Sequence, residues 1–420
     1  MKRIYIFVIA VFISFGYCTM QHDEDEKIAF KDDRFRNFYD ELTGTEDSAR
    51  KAELVGAFVS SLDATNYPIL ENDTTAVLLY RHSNGSVSVL SDLTDMAEAV
   101  PMEQISGTDL HYTRLHARTD ARIEYFFISE EHQIPFTDPL NPYRINYTVW
   151  TASELAMPAY KREPIFDPLL NGQPGGFERV IGHTLEGNIM GYSHLIHVYL
   201  PEGYNESDKQ YPVLYFQDGS DYIESAYVPY VLDALIGQKR IEPLIAVFVT
   251  PPNRHQPNVP NRMTEYGMNN DYVSFFTDEL VPYIDGNYRT MEEPEHRIVI
   301  GDSFGGLISL YIAFQRPDVF GSAYSQSGYV SFQNDKLIRL IESSSMRPVR
   351  FYVDIGIYER NVGSLFLPAD ETDFLEGNRR LRKVLEEKGY DFRYKEYSEG
   401  HTWGNWRRHL IDVLEDHFGK

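Results

Sequence analysis

The chain has a single cysteine, Cys18, in 420 residues. One thiol near the amino terminus rules out a disulfide framework and leaves the body of the protein no cysteine nucleophile. Positive charge is also scarce: 39 Lys and Arg face 63 Asp and Glu, a net charge of −24. A field of that sign repels phosphate backbones, so nucleic acid is excluded as a partner and solubility is the plain reading. No stretch after the first 20 residues approaches the ~20 uninterrupted apolar residues of a membrane span. Repeats, low-complexity tracts, an H-E-x-x-H pattern and a nucleotide-binding glycine pattern are all missing, so no metal or cofactor is implied.

What the chain does have in quantity is rings: 30 Tyr and 25 Phe, within a 42% hydrophobic composition. That suffices for a full core and an aromatic-lined cleft. Lys2 and Arg3 precede an apolar run over residues 4–15, the pattern of an export signal, and residues 1–20 are read as that segment. Cys18 is either removed with it or lipidated, with the acidic residues 21–27 as a tether. The expected location is outside the cytoplasm, whether periplasmic, secreted or lipid-anchored at the envelope.

Residues 28–150 begin with helix-spaced apolar residues (Phe35, Phe38, Tyr39, Leu42) and continue as short β-type runs at 76–80, 86–90 and 122–128. Turns at 83–85 and 106–109 separate them, and the prolines of 138–142 end the pairing. A small, Ig-like β-sandwich is expected there. Residues 151–178, with Pro158, Pro164, Pro168, Pro174 and Gly175-Gly176, read as a linker. From 179 to 420 strands alternate with amphipathic helices, which specifies a mostly parallel α/β sheet with ligands beyond its C-terminal strand ends.

The strongest local signal is 298–300, an apolar strand, running into Gly301-Asp302-Ser303-Phe304-Gly305-Gly306 and then a helix. G-x-S-x-G on a strand–turn–helix exposes a serine hydroxyl on a strained elbow, and the glycines remove side chains that would collide there. Ser303 is the expected nucleophile. A hydroxyl needs a base, and His401, in the loop Ser398-Glu399-Gly400-His401-Thr402, is preferred over His409 and His417 in the final helix. The orienting acid should follow the penultimate strand; Glu359 comes first, with Asp354, Asp370 and Asp373 as alternatives. Oxyanion donors are expected from Phe304 N–H and from Gly219 or Ser220, in the loop after the strand at 212–216.

Together, Asp218-Gly219, Arg262-x-x-Glu265-Tyr266, Glu279-Leu280-x-Pro282-Tyr283-Ile284, the Ser303 elbow and Gly400-His401-x-Trp403-x-x-Trp406-Arg407 resemble the "putative esterase" family of enterochelin esterases, feruloyl esterases and esterase D. The resemblance covers about 180–418 and implies an α/β-hydrolase fold, Ser303 as nucleophile and His401 as base. It implies that Arg262 and Glu265 brace the cleft. The family acid often follows Gly-x-x-Asp; here Gly356-x-x-Glu359 substitutes Glu. Trp403 and Trp406, three apart on a helix, are core residues by default. The expected activity is hydrolysis of a small-molecule or polysaccharide-linked ester. A serine peptidase, or a carbohydrate- or siderophore-binding protein without catalysis, is the alternative.

Overall fold

The computed structural model describes residues 30–83, 85–147, 150–170, 175–186, 188–252 and 261–419. The export segment, Cys18, the tether at 21–27, Asn84 and Pro174 lie outside them.

The amino-terminal part opens with helices Arg34–Gly44 and Ser48–Ser60. Phe35, Phe38 and Leu42 recur every three or four residues, so one helix face is apolar and buried. Two antiparallel sheets follow. The first orders Ile69–Asn72, Thr75–Arg81, Leu110–His116 and Glu103–Gln104; the second orders Val100–Pro101, Val87–Ser91, Arg122–Ser129, Thr151–Ala156 and Arg144–Asn146. Ala76, Leu78 and Leu115 of the first share a core with Val89, Ile123, Tyr125 and Phe127 of the second. On its other face the first sheet turns Val77 and Leu79 toward Phe35 and Val55 of the helices. Burial on both faces explains why residues 76–79 are continuously apolar rather than alternating. The stretch read as linker thus begins with a strand, because Ala152, Ser153, Glu154 and Leu155 are all buried against Arg122–Ser129.

The larger part holds one eight-stranded sheet. Its strands are β1 (Val180–Leu185), β2 (His194–Tyr199), β3 (Val213–Phe216), β4 (Ile245–Thr250), β5 (Arg297–Asp302), β6 (Ser322–Gln326), β7 (Arg350–Gly356) and β8 (Phe392–Tyr397). The spatial order is β1-β2-β4-β3-β5-β6-β7-β8. β2 runs antiparallel to both its neighbours; every pair from β4 to β8 is parallel. One face packs Val247, Val249 and Val299 against Leu307, Ile308 and Ile312. The other packs Phe216, Phe248, Ile298 and Ile300 against Leu410 and Leu414 of the last helix, Trp403–Phe418. Helices on both sides leave the C-terminal strand ends as the open edge, where the loops after β3, β5, β6, β7 and β8 gather.

Candidate active site

β5 is buried along its whole length and breaks at Ser303, whose φ is +53°. A non-glycine residue in the left-handed region is strained. The turn is held because helix Ser303–Gln315 is buried from Phe304 to Phe314 and cannot shift. A Cβ on Gly301 would collide with the Gly305 backbone, so the strand enters the helix at a distance only glycine permits. Tyr329 N–H, beyond β6, donates to the Ser303 carbonyl at 2.9 Å. The Ser303 side chain is half-buried at the open edge.

Glu359 lies three residues beyond β7 and is fully buried. Its Oε1 accepts from Gly356 N–H at 2.7 Å and from Ser327 Oγ at 2.6 Å. Its Oε2 stands 2.6 Å from His401 Nδ1. A carboxylate only accepts, so Nδ1 carries a proton and Nε2 is left as the basic nitrogen of the neutral ring. Ser327 in turn accepts from Trp406 Nε1–H at 2.9 Å. Edge-on contacts with Phe374 (5.4 Å between centroids) and Trp406 (4.9 Å) hold the His401 ring. A row of rings joins elbow and base: Phe304 to Tyr329 at 5.4 Å, then Tyr329 to Phe374 at 5.0 Å.

The other sequence candidates go elsewhere. Asp354 lies within β7, 3.4 Å from His409 Nδ1, and accepts from Tyr324 Oη. His409 is buried between Asp354 and Glu399 and stacks on Tyr397. Burial would lower its pKa, but the two carboxylates outweigh burial and raise it to about 9. His417 Nδ1 lies 3.1 Å from Tyr352 Oη. Asp373 caps helix Phe374–Lys388 by accepting from Glu376 N–H, and Asp370 is exposed.

The loop after β3 turns at Asp218 (φ +49°) into a short helix, Gly219–Glu224. A Cβ on Gly219 would sit 2.5 Å from the Phe248 carbonyl carbon and 2.6 Å from Val249 N. Asp218 N–H donates to Tyr266 Oη, and Arg262 pairs with the Asp218 carboxylate at 2.5 Å. Burial, then the charge of Asp218, push the neighbouring Asp302 carboxyl far above the usual range, against the pull of Arg262. Glu265 accepts from His194 Nε2 and Tyr192 Oη, so Arg262 and Glu265 both act as struts. The Gly219, Ser220 and Phe304 amides stand in the first turns of helices, where N–H groups have no intrahelical acceptor. Trp406 is buried; Trp403, half-buried, packs edge-on against Tyr222 at 5.0 Å.

A serine at positive φ, a carboxylate-bound imidazole and amides in the first turns of two helices lie at one sheet edge, the kinds of group that acyl transfer uses. A family profile described as "Putative esterase" matches residues 187–417. The chain belongs to this family of ester hydrolases. It is 30% identical over 222 residues to the uncharacterized protein YjcH of Bacillus subtilis (strain 168), covering 52% of this chain and 88% of that one. It is 31% identical over 146 residues to an endo-1,4-beta-xylanase/feruloyl esterase of Xylanibacter ruminicola, covering 30% of this chain and 18% of that protein. The crystal structure of ferric enterobactin esterase from Salmonella typhimurium superposes with a TM-score of 0.67 at 19% identity, over 82% of this chain and 93% of its own. That likeness spans both parts of the chain and gives the larger part the α/β-hydrolase fold. The sequence reading did not single out Ser327, although it directly follows β6 much as Glu359 follows β7, and no local signal marks the contacts from the amino-terminal sheets.

Proposed function

We propose that the protein is a serine carboxylic-ester hydrolase with Ser303 as nucleophile, His401 as base and Glu359 as orienting acid. The observation that carries this is the 2.6 Å contact of His401 with buried Glu359, at the sheet edge that also presents Ser303. His401 Nε2 takes the Ser303 hydroxyl proton while Oγ attacks the ester carbonyl carbon. The Phe304 amide and those of Gly219 and Ser220 receive the oxyanion. Its collapse expels the alcohol, protonated by His401, and leaves Ser303 acylated. Water, deprotonated by the same nitrogen, then releases the acid and restores the hydroxyl.

The ring of Phe332, partly exposed and packed edge-on against Phe304 of the elbow at 5.1 Å, favours an ester whose acyl group is aromatic, such as a catecholate or feruloyl ester. The two amino-terminal sheets, sharing one core, fit a small β-sandwich preceding the catalytic part. The basic and apolar amino terminus supports export, so the substrate is taken to be extracytoplasmic. Hydrolysis of p-nitrophenyl acetate and methyl ferulate by wild type and Ser303→Ala tests the reading. Loss of at least ~10³ in kcat is expected for the variant; equal rates would remove the serine mechanism and favour a non-catalytic binding protein. Cleavage of a peptide panel but of no ester would favour a peptidase.

A further inference from the structure

The amino-terminal sheets reach directly into the loops that carry Glu359 and His401. Strand Val87–Ser91 ends in a tight 3-10 turn, Asp92–Thr94, followed by Asp95 and Met96 at φ +50° and +54°. Asp92 Oδ2 accepts from Glu124 N–H at 2.7 Å and ties that turn to strand Arg122–Ser129. The Asp95 carboxylate projects across to the larger part. Its Oδ2 accepts from Arg360 N–H at 3.0 Å and from Asn361 N–H at 2.5 Å. These are the two residues immediately after Glu359. The loop of His401 is held from the same side. Asp92 lies so close to Gly400 that a Cβ there would be 2.6 Å from the Asp92 Cβ. Arg122 N–H donates to Ser398 O at 3.2 Å, and Arg122 Nη1 to Asn405 Oδ1 at 2.5 Å. Asn405 Nδ2 then donates to Gly400 O at 2.7 Å.

We infer that Asp95 is a positioning residue for the reaction: its carboxylate, carried by the amino-terminal sheets, fixes the backbone after Glu359 and so sets the acid against His401. This rests on the triad proposed above. The Glu359 carboxylate takes its three hydrogen bonds from Gly356 at the end of β7, from Ser327 and from His401, so all three depend on where the backbone around Glu359 sits. Leu375 N–H holds the Glu359 carbonyl at 3.0 Å, and the two residues that follow are held by Asp95. Asp95 clamps that loop from outside with two bonds to one oxygen. Its site does not suit a carboxylate otherwise. Burial, with the Glu359 charge adding to it, raises the Asp95 carboxyl to about 7, although the Asn361 and Arg360 amides pull it down. Its Oδ1 is buried without a hydrogen-bond partner. The amino-terminal part is thereby a working component of the catalytic centre.

The test uses the full-length chain and two backgrounds, wild type and Glu359→Gln. Asp95→Gly removes the clamp while accepting the positive φ; Asp95→Asn keeps a carbonyl oxygen in the same place. The expected result is a kcat about tenfold lower for Asp95→Gly with KM within about twofold, and kcat restored to within about twofold of wild type by Asn. In a Glu359→Gln background, adding Asp95→Gly should change kcat by less than about twofold, because Asp95 acts through Glu359. Wild-type kcat in Asp95→Gly, equal losses for Gly and Asn, or an undiminished tenfold loss in the Glu359→Gln background would each overturn the inference. Should Asp95→Gly not fold by circular dichroism, Asp95→His, which also tolerates a positive φ and places no oxygen on the Arg360 and Asn361 amides, carries the same expectation. Ser303→Ala separates the two levels: if it remains active the serine mechanism itself fails, whereas an inactive Ser303→Ala beside a fully active Asp95→Gly sinks only the clamp.

Discussion

Replacing Glu359 by Gln keeps the shape of the side chain and changes what it can offer. Oε1 receives two donors, Gly356 N–H and the Ser327 hydroxyl. A glutamine must therefore place its carbonyl oxygen there, which turns its NH2 toward His401 Nδ1, 2.6 Å away in the wild type. Nδ1 would then have to accept, and the ring proton would move to Nε2, the atom that must take the Ser303 proton. The wrong tautomer and the lost negative charge beside the developing imidazolium together predict a kcat lower by about 10³–10⁴, some 4–5 kcal/mol in activation free energy. KM should change little, because Glu359 is buried and does not reach the substrate. Steady-state kinetics on an aromatic methyl ester, which lacks an activated leaving group, would measure this, with a thermal melt to check folding. A kcat within about tenfold of wild type in a folded Glu359→Gln would refute Glu359 as the acid and the tautomer reasoning with it.

His409 gives a pH prediction for stability. Its folded pKa, raised to about 9 from 6.5, means the folded state holds the proton more tightly, so the stabilisation is fully present below 6.5 and is lost as pH rises through 9. Urea unfolding should show about 3 kcal/mol less stability at pH 9.5 than at pH 6, and His409→Gln should flatten that slope. Arg122→Met leaves buried Glu124 and Glu154 without their shared guanidinium and should cost about 3–5 kcal/mol, measured as a fall in the urea midpoint. Gly219→Ala drives a Cβ into the β4 backbone, so a loss of about 1–3 kcal/mol and a drop in kcat are expected, seen by melting and kinetics on the same sample.

The features that could be read without coordinates are local ones. Gly301, Ser303 and Gly305 lie within five residues, and an apolar strand on one side and an apolar helix on the other specify the elbow by themselves. His401 stands out because it follows a strand and precedes a helix, in a loop. The choice between Asp354 and Glu359 was different in kind. The two carboxylates lie five positions apart around the end of β7, and only their partners separate them: Asp354 meets His409 and Tyr324, while Glu359 meets His401. The strand at Thr151–Ala156 was hidden because prolines and glycines further along give the whole stretch the texture of a linker. Its pairing with Arg122–Ser129 depends on a partner more than twenty residues away.

By itself, then, the chain's order of residues determined the alternation of strands and helices, the strained serine and the histidine loop, because each depends on spacing within a few residues. Tertiary structure decided which acid faces His401, that Ser327 and Trp406 hold that acid, and that Asp95 reaches Asn361, 266 positions away. Contacts of that range leave no periodicity in a sequence: they arise when sheets pack and buried polar groups must find partners wherever the fold brings one near.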